Sequence, residues 1–419
     1  MRVLVIGGGG REHAIIWKIR QSPMVTEIFC APGNAGIAAM AQCVDIGVME
    51  FQRLVDFAKS EHIDYTIIAP DDPLVGGLAD AFKAAGLSFF GPLANAAILE
   101  GSKAFSKDLM KKYKIPTASY ETFGDFESAF AYIQTQEMPL VIKADGLAFG
   151  KGVLICHTPE EASQALTDMF VTGKFGASGH KVVIEEFMIG PEVSVLAFCD
   201  GKTIVPMVSA QDHKRALDGD KGLNTGGMGA ISPSRHYTPE IDRICMDTIF
   251  VPTVEALIQE GRLFQGIIFF GLMLTPQGPR VIEYNARFGD PETQVVLPRL
   301  KTDLMEVFLA CSEGRLDQVD IQWEDSAAAC VILASGGYPE SYEKGFVIEG
   351  VDAAEKDNHI KVFHAGTAVR DGRLVTNGGR VLGVTSVADT LDQAIETAYA
   401  AIGSIHFDHM FYRNDIGAR

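Results

Sequence analysis

Lys143-Ala144-Asp145-Gly146-Leu147-Ala148-Phe149-Gly150-Lys151-Gly152 is the stretch on which the fold of this chain turns. It combines glycine and lysine as a phosphate-binding P-loop does. A P-loop, however, has the order G-x-x-x-x-G-K-[ST] and runs from a strand into a helix. Here Gly146 and Gly150 are four apart, Gly152 stands where Ser or Thr belongs, and Val153-Leu154-Ile155 begins a second apolar run. The stretch therefore reads as a glycine hairpin between strands over 139–144 and 152–156, an antiparallel arrangement. Its tip can fold over a triphosphate, with Lys143 reaching from the strand end and Lys151 from the loop. An ordinary surface hairpin with solvated lysines fits the same residues.

Upstream, residues 1–92 change period. Val3-Leu4-Val5-Ile6 is a short apolar strand, further strands are expected over 27–31, 65–70 and 88–91, and helices over 12–19, 51–60 and 74–85. Short apolar strands alternating with amphipathic helices make a doubly wound parallel sheet. Loops follow its strands: Gly7-Gly8-Gly9-Gly10, Pro32-Gly33-Asn34, Pro70-Asp71-Asp72-Pro73 and Gly91-Pro92. In such sheets the ligand crevice lies outside the carboxyl ends of the strands. The run Gly7–Glu12 opens the first helix, and free N–H groups at a helix N-terminus suit an anion. Gly9, Gly10, Arg11, Gly33 and Asn34 are thus candidate contacts to a substrate phosphate. The dinucleotide fingerprint G-x-G-x-x-G fails at Glu12, and Cys30-Ala31-Pro32-Gly33 supplies no acidic residue after the second strand, which disfavours a nicotinamide cofactor. Close helix–strand packing explains the glycines equally well.

Downstream, Val182-Val183-Ile184-Glu185-Glu186-Phe187-Met188 is a strand that leaves its sheet at Gly190-Pro191, offering backbone N–H and C=O groups to a purine edge, with Glu192 within reach of ribose hydroxyls. An acidic surface turn is the plainer reading of that segment alone. Residues 211–233 are glycine-rich and show little periodicity, so an irregular stretch is expected there, of the kind that is usually functional. Within it Asp212 and Lys214 can recognise a zwitterion, and Asn224-Thr225-Gly226-Gly227 permits close backbone approach. His213 has no second His or Cys at ligand spacing. Strands over 266–275 and 280–287 flank a Pro276-Gln277-Gly278-Pro279 turn. Glu283, Asn285 and Arg287 alternate onto one strand face. A carboxylate and an amide oxygen two residues apart suit Mg²⁺, and Arg287 beside them suits a phosphate or carboxylate. Asp290 and Glu292 add carboxylates in the following turn. The tail has strands over 328–334, 360–363, 373–376 and 381–387, tight-turn signals at Asp371-Gly372 and Asn377-Gly378, and a helix over 391–402.

Composition bounds the function. The 419 residues suggest about three domains. With 47% apolar and 21% charged residues the chain can fill several cores. A formal charge of −18 makes it a poor general partner for nucleic acid or anionic membrane. No apolar run approaches the ~18–20 residues of a membrane span, and Met1 to Gly10 reads as a first strand, not a secretory signal. Seven dispersed cysteines without a C-x-x-C pair argue for free thiols in a reducing compartment. No nucleophile elbow or zinc spacing is present.

Together these stretches resemble the ATP-grasp superfamily and, within it, the phosphoribosylamine–glycine ligase family. The likeness runs through 7–13, Glu100-Gly101-Ser102-Lys103, 143–153, 211–215, 224–233, 281–294, Phe363-His364-Ala365-Gly366-Thr367, 378–383 and Asp415-Ile416-Gly417. It implies an α/β and α+β multidomain fold. Residues 1–102 form an N-terminal doubly wound domain, 103–325 an ATP-grasp domain with a small lid over about 118–190, and 326–419 a strand-rich C-terminal domain. It implies ligation of glycine to 5-phosphoribosylamine with ATP through glycyl phosphate, in purine biosynthesis; another ATP-grasp carboxylate–amine ligase or carboxylase is the alternative. The implied roles follow. Lys103 and Lys143 contact nucleotide phosphates, with Gly146, Gly150 and Lys151 in the covering hairpin. Glu185, Glu186, Phe187 and Met188 form the adenine hinge, and Glu192 holds ribose. Glu283 and Asn285 bind Mg²⁺ or Mn²⁺. Asp212, Lys214, Asn224, Arg287 and Asp290 hold glycine and the phosphoribosyl group at the catalytic centre. The implied enzyme is cytoplasmic, a monomer or weak dimer, with small-molecule partners only. Three departures stand out: Phe149 replaces a small hairpin residue, Pro70-Asp71-Asp72-Pro73 replaces Pro-Glu-x-Pro, and Phe270-Gly271-Leu272 lacks a further metal carboxylate.

Overall fold

The computed structural model describes residues 1–147, 152–174 and 176–418. Strands β1 (Arg2–Gly7), β2 (Glu27–Pro32), β3 (Gln42–Cys43), β4 (Tyr65–Ile68) and β5 (Phe89–Phe90) form an all-parallel sheet in the order β3-β2-β1-β4-β5. Val3, Leu4, Val5 and Ile6 of the central strand are fully buried, which is why that strand reads as a continuous apolar run. Around it lie α1 (Gly10–Ile19), α2 (Phe51–Ser60), α3 (Asp71–Gly76), α4 (Leu78–Ala84) and α5 (Ala94–Gly101). The single helix expected over 74–85 is two: Gly77, at φ +92°, takes the left-handed conformation that ends α3 and opens α4. Strand order reverses between β1 and β4, so the loops after these strands frame the crevice.

Ser102 caps α6 (Lys103–Tyr113) by accepting a bond from the Phe105 N–H. The chain then builds an antiparallel sheet of β6 (Tyr120–Phe123), β7 (Leu140–Ala144), β8 (Val153–Cys156) and β9 (Val182–Glu186), ordered β6-β9-β7-β8. Helices α7 (Phe126–Ile133) and α8 (Pro159–Phe170) cover it. Ala129, Ile142, Leu166 and Ile184 close a separate apolar cluster here, so this lid has its own core. The glycine hairpin joins β7 to β8; Phe149, Gly150 and Lys151 lie outside the described residues.

A second antiparallel sheet, ordered β11-β10-β16-β17, is made by β10 (Glu192–Asp200), β11 (Ile204–Pro206), β16 (Gln265–Thr275) and β17 (Gly278–Asn285). The stretch expected to be irregular over 211–233 carries four short strands, β12 (Gln211–Asp212), β13 (Arg215–Leu217), β14 (Lys221–Asn224) and β15 (Gly229–Ser232). β12 and β15 belong to the C-terminal sheet. There β15 pairs with β18 (Ala327–Ser335), followed by β22 (Arg380–Ala388) and β19 (Ile360–His364), with β23 (Met410–Phe411) beside β18. That sheet therefore crosses the division expected at 325/326. The pairing of β15 with β18 is long-range, and strands as short as Gln211–Asp212 and Gly229–Ser232 carry no local periodicity. Asp371 (φ +50°) and Gly372 (φ +73°) make the hairpin turn between β20 (Thr367–Arg370) and β21 (Arg373–Thr376). One apolar cluster joins Val3 and Val5, Leu196 and Phe198, Phe308, and Ala328 and Cys330, fixing the three sheets to one another.

Candidate active site

A cleft of about 1240 Å³ opens where the sheets and lid converge. At its lid end, Lys103 begins α6 and its Nζ donates to the Gly146 carbonyl (2.8 Å). The neighbouring Asp145 carboxylate sits on the α6 N-terminus, accepting from Ser102 Oγ (3.0 Å) and the Ala104 N–H (3.1 Å). The first limb of the hairpin is thereby clamped to the helix. Burial, and the nearby Lys143, lower the Lys103 pKa, with Glu283 opposing. Lys143 pairs with Glu185 (2.9 Å) and donates to the Ile282 carbonyl (3.2 Å). Lys107 pairs with the same carboxylate (2.9 Å). Glu186 accepts from the Ser119 N–H (2.9 Å) and pairs with Arg280 (2.9 Å). Both hinge carboxylates are thus engaged by the protein. Among the described residues nothing hydrogen-bonds the main-chain N–H of Phe187 or Met188, which leaves backbone for a base edge. Val141, Ile155, Met188, Met273 and Ile282 supply apolar walls.

Along the floor, β17 carries a bulge. Gly271 faces Glu283 but Leu272 faces Val281, so Ile282 is the extra residue and Ile282 and Glu283 both meet the cleft. Glu283 and Asn285 lie side by side as the alternation predicts. Neither side chain hydrogen-bonds another described residue. Burial would raise the Glu283 pKa, but Lys214, Lys143, Lys103 and Arg287 hold it below the ordinary value, so the carboxylate stays ionised. Two uncommitted hard oxygen donors fit a divalent cation. No cluster of three or more His, Cys, Asp or Glu among the described residues could hold one alone, so phosphate oxygens and water would complete its shell. Arg287 lies past the strand end and turns to Glu100 (2.9 Å) and Asp71 (3.8 Å), leaving Nε buried without a hydrogen-bond partner among the described residues.

The opposite end is built by loops of the N- and C-terminal domains. The Glu12 carboxylate takes the Gly9 N–H (2.6 Å) and pairs with Arg11 (2.6 Å). The Asp290 carboxylate takes the Arg11 N–H (3.1 Å). Two donors expected to be open to a substrate phosphate are therefore filled by carboxylates from the protein, and the residue that breaks the dinucleotide fingerprint, Glu12, fills the first of them. Gly9, Arg11 and Gly33 line the cleft. Gly10 is buried, and an added Cβ would meet Gln294 Nε2 at 2.6 Å. Asn34 does not face the ligand space either: its amide staples the Gly8 carbonyl (2.9 Å) to the His364 carbonyl (2.8 Å). Asp290 also meets Arg380, which donates to the Asp290, Gly226 and Gly227 carbonyls.

Between the ends, Lys214 pairs with Glu192 (2.9 Å), so the expected ribose ligand and an expected substrate lysine hold one another. Burial acts to lower the Lys214 pKa, but Glu192, Glu283 and Asp212 raise it. Asp212 Oδ1 is buried with no hydrogen-bond partner among the described residues. Burial, reinforced by Glu292, pushes this carboxyl well above its ordinary range. Gly227, at φ +114°, lies so close that a Cβ would stand 2.5 Å from Pro291 Cδ and 2.7 Å from Asp212 Oδ1. Asn224 lines the cleft at the end of β14. The Arg413 side chain, 2% exposed, gathers Asp415 (2.7 Å) and Asp220 (2.9 Å), tying the C-terminal segment to the loop that bears Lys214 and Asn224.

Lys107, Glu12, Glu100, Arg380 and Arg413 escaped the reading of the sequence. A signal existed for Lys107, four residues after Lys103 and so on the same helix face.

Three family models match most of the chain. Residues 1–100, 101–293 and 328–419 match the N domain, the ATP-grasp (A) domain and the C domain of phosphoribosylglycinamide synthetase. Proteins named phosphoribosylamine–glycine ligase from Halalkalibacterium halodurans and Escherichia coli are each 50% identical, over 100% of this chain and 97% and 98% of theirs. The crystal structure of phosphoribosylamine–glycine ligase from Thermotoga maritima superposes with a TM-score of 0.86 at 34% identity, covering both chains fully. The biotin carboxylase domain of Hydrogenobacter thermophilus 2-oxoglutarate carboxylase, solved with MgADP and bicarbonate, shares the fold at a TM-score of 0.75 and 16% identity over 98% of this chain and 91% of that one.

Proposed function

The chain belongs to the phosphoribosylglycinamide synthetase family, and on that premise we propose that its cleft ligates glycine to 5-phosphoribosylamine with ATP, yielding glycinamide ribonucleotide, ADP and phosphate in purine biosynthesis. The observation that carries this reading is the meeting of Lys103 and Lys143 with Glu283 and Asn285 in one cleft of a chain that aligns end to end with ligases of that name.

A carboxylate is a poor acyl donor, so it must first be activated. A glycine carboxylate oxygen attacks the γ-phosphorus, the bond to the bridging oxygen breaks, and ADP leaves. The amine nitrogen of phosphoribosylamine then attacks the acyl carbon, the carbon–oxygen bond to phosphate breaks, and the amine loses a proton. No protein nucleophile is needed. Lys103 and Lys143 sit where cations must offset the meeting of two anions. Glu283 and Asn285 would hold Mg²⁺, with Mn²⁺ as a substitute, which supplies charge neutralisation at the phosphates. The apolar walls and unpaired N–H groups at Phe187 and Met188 receive adenine, and Glu192 the ribose. Asp212, Lys214 and Asn224 face the glycine position, with Arg287 and Asp290 beyond them toward the phosphoribosyl group. The lid hairpin keeps water from the acyl phosphate.

We place the enzyme in the cytoplasm as a monomer or weak dimer. In keeping with that, its seven cysteines are free thiols and no described helix is long and apolar enough to cross a membrane.

Measuring ADP release with each substrate omitted in turn tests the reading. Release that needs ATP, glycine and phosphoribosylamine together is expected. Turnover with another acid in the absence of glycine would assign the chain to a different ATP-grasp ligase or carboxylase.

A further inference from the structure

A buried charge that the chemistry above does not use, Lys107, lies where the lid meets the core lobe. Lys107 on α6 is 2% exposed. It pairs with Glu185 Oε2 on β9 (2.9 Å) and donates to Thr117 Oγ1 (2.8 Å), which in turn donates to the Val281 carbonyl of β17 (2.7 Å). Lys143 on β7 lies 2.9 Å from Glu185 Oε1, donates to Oε2 (3.0 Å), the oxygen Lys107 also meets, and donates to the carbonyl of the next β17 residue, Ile282 (3.2 Å). Two lysines therefore share one lid carboxylate, and each is tied to one of two consecutive core carbonyls, Lys107 through the Thr117 hydroxyl. α6 and β17 are core elements, whereas β7 and β9 belong to the lid with its separate apolar cluster.

We propose that Lys107 is a positioning residue for nucleotide binding: by sharing Glu185 it limits how tightly that carboxylate holds Lys143, and so lets Lys143 serve the triphosphate as lid and core close. The inference rests on the reading of this cleft as an ATP site. Without the Lys107 charge, Lys143 is the only cation on a buried carboxylate, and in a desolvated site that attraction competes directly with phosphate. The groups facing Lys107 are Glu185 and Lys143 from the lid, Arg280 from β17, Thr117, and the Tyr120 ring at 5.9 Å. Burial draws the Lys107 ammonium down to about 8, with Glu185 opposing and Lys143 and Arg280 adding to the fall. Its charge is thus lost just above neutral pH.

The test follows nucleotide affinity against pH. ADP binding to the wild-type protein, measured by calorimetry without glycine or amine, is expected to weaken about tenfold between about pH 7 and about 9.5. In Lys107→Arg, whose guanidinium does not titrate, the profile is expected to be flat. Lys107→Met should bind weakly at every pH and show a raised KM for ATP, with kcat and the KM for glycine within about twofold of wild type. A structural role alone would lower the melting temperature and leave the ADP profile unmoved. A wild-type profile without alkaline weakening overturns the proposal. So does a Lys107→Arg profile that keeps it, which would assign the titration to Lys103 instead. Both results stand if Lys107→Met does not fold. The readout is ADP affinity, so a different acid or amine substrate would sink the ligase assignment without touching this inference.

Discussion

At the lid end of the cleft three lysines, Lys103, Lys107 and Lys143, are held by one shared carboxylate and by backbone carbonyls. At the far end each arginine has a carboxylate of its own: Glu12 for Arg11, Glu100 for Arg287, Asp290 for Arg380, and Asp415 for Arg413. The difference separates two uses of positive charge. Lysines with spare donors can be handed to an incoming polyanion. Arginines paired with carboxylates, of which Arg413 grips both oxygens of Asp415, fix loop geometry and leave fewer donors for recognition. This is how a chain of charge −18 accommodates anionic substrates: three of its cleft lysines are gathered at the end where a triphosphate would lie.

Breaking the floor of the lid end should have the largest effect. Glu283→Ala is expected to lower glycine-dependent ADP formation by about 10³-fold with an unchanged melting temperature, since it removes an ionised donor with no structural partner. Normal turnover in that variant would remove the metal assignment. At the far end the expected loss is one of stability. Arg287→Met strands the Glu100 carboxylate, 7% exposed in its side chain, and should cost about 3–5 kcal/mol in urea unfolding. A change below about 1 kcal/mol would show that the far-end arginines are not structural.

Acid should discriminate the ends next. His213 and His364 are each held at about 4, chiefly by burial, with Arg413 adding to the shift at His213. Because the unfolded chain binds these protons near 6.5 and the folded chain does not, stability falls as pH drops from about 6.5 toward 4, by up to about 3 kcal/mol per histidine. Burial holds His13 well below its ordinary value too, so urea midpoints at about pH 7, 5.5 and 4.5 check this and His364→Gln should flatten the curve by about a third. The smallest effect is expected of Glu192→Gln. The Glu192–Lys214 pair is substantially exposed, so stability should move by less than about 1 kcal/mol. The KM for ATP should nevertheless rise about fivefold if Glu192 reaches the ribose.

The same contrast explains what could be read in the residues alone. The N-terminal sheet was legible because β1 is buried on both faces and its helices carry clear periodicity. The Glu283–Asn285 pair was legible because strand alternation places both on one face. The bulge at Ile282 left no trace, because a single extra residue has no signature apart from its partner strand. The role of Glu12 was visible only as a failed motif, since filling a helix N-terminus requires knowing where the side chain folds back. Lys107 looked like one more lysine on a polar helix until Glu185, 78 positions later, arrived beside it. β15 was missed for the same reason: its partner β18 lies about a hundred residues on, and so short a strand of small residues, with the two-residue β12 beside it, gains its order only from that partner.

That last pairing bears on how the protein is made. At ribosomal rates of about 5–20 residues per second, β15 emerges several seconds before the β18 strand that completes its sheet. During that interval its edge is an open template for wrong pairing, which its small residues make a weak one. The lid and the Glu283–Asn285 floor can mature first, while the loop carrying Lys214, Asn224 and Gly227 takes its final shape only after the C-terminal sheet docks. The loop of Lys214, Asn224 and Gly227 is thus the part of the cleft whose backing sheet is synthesised last.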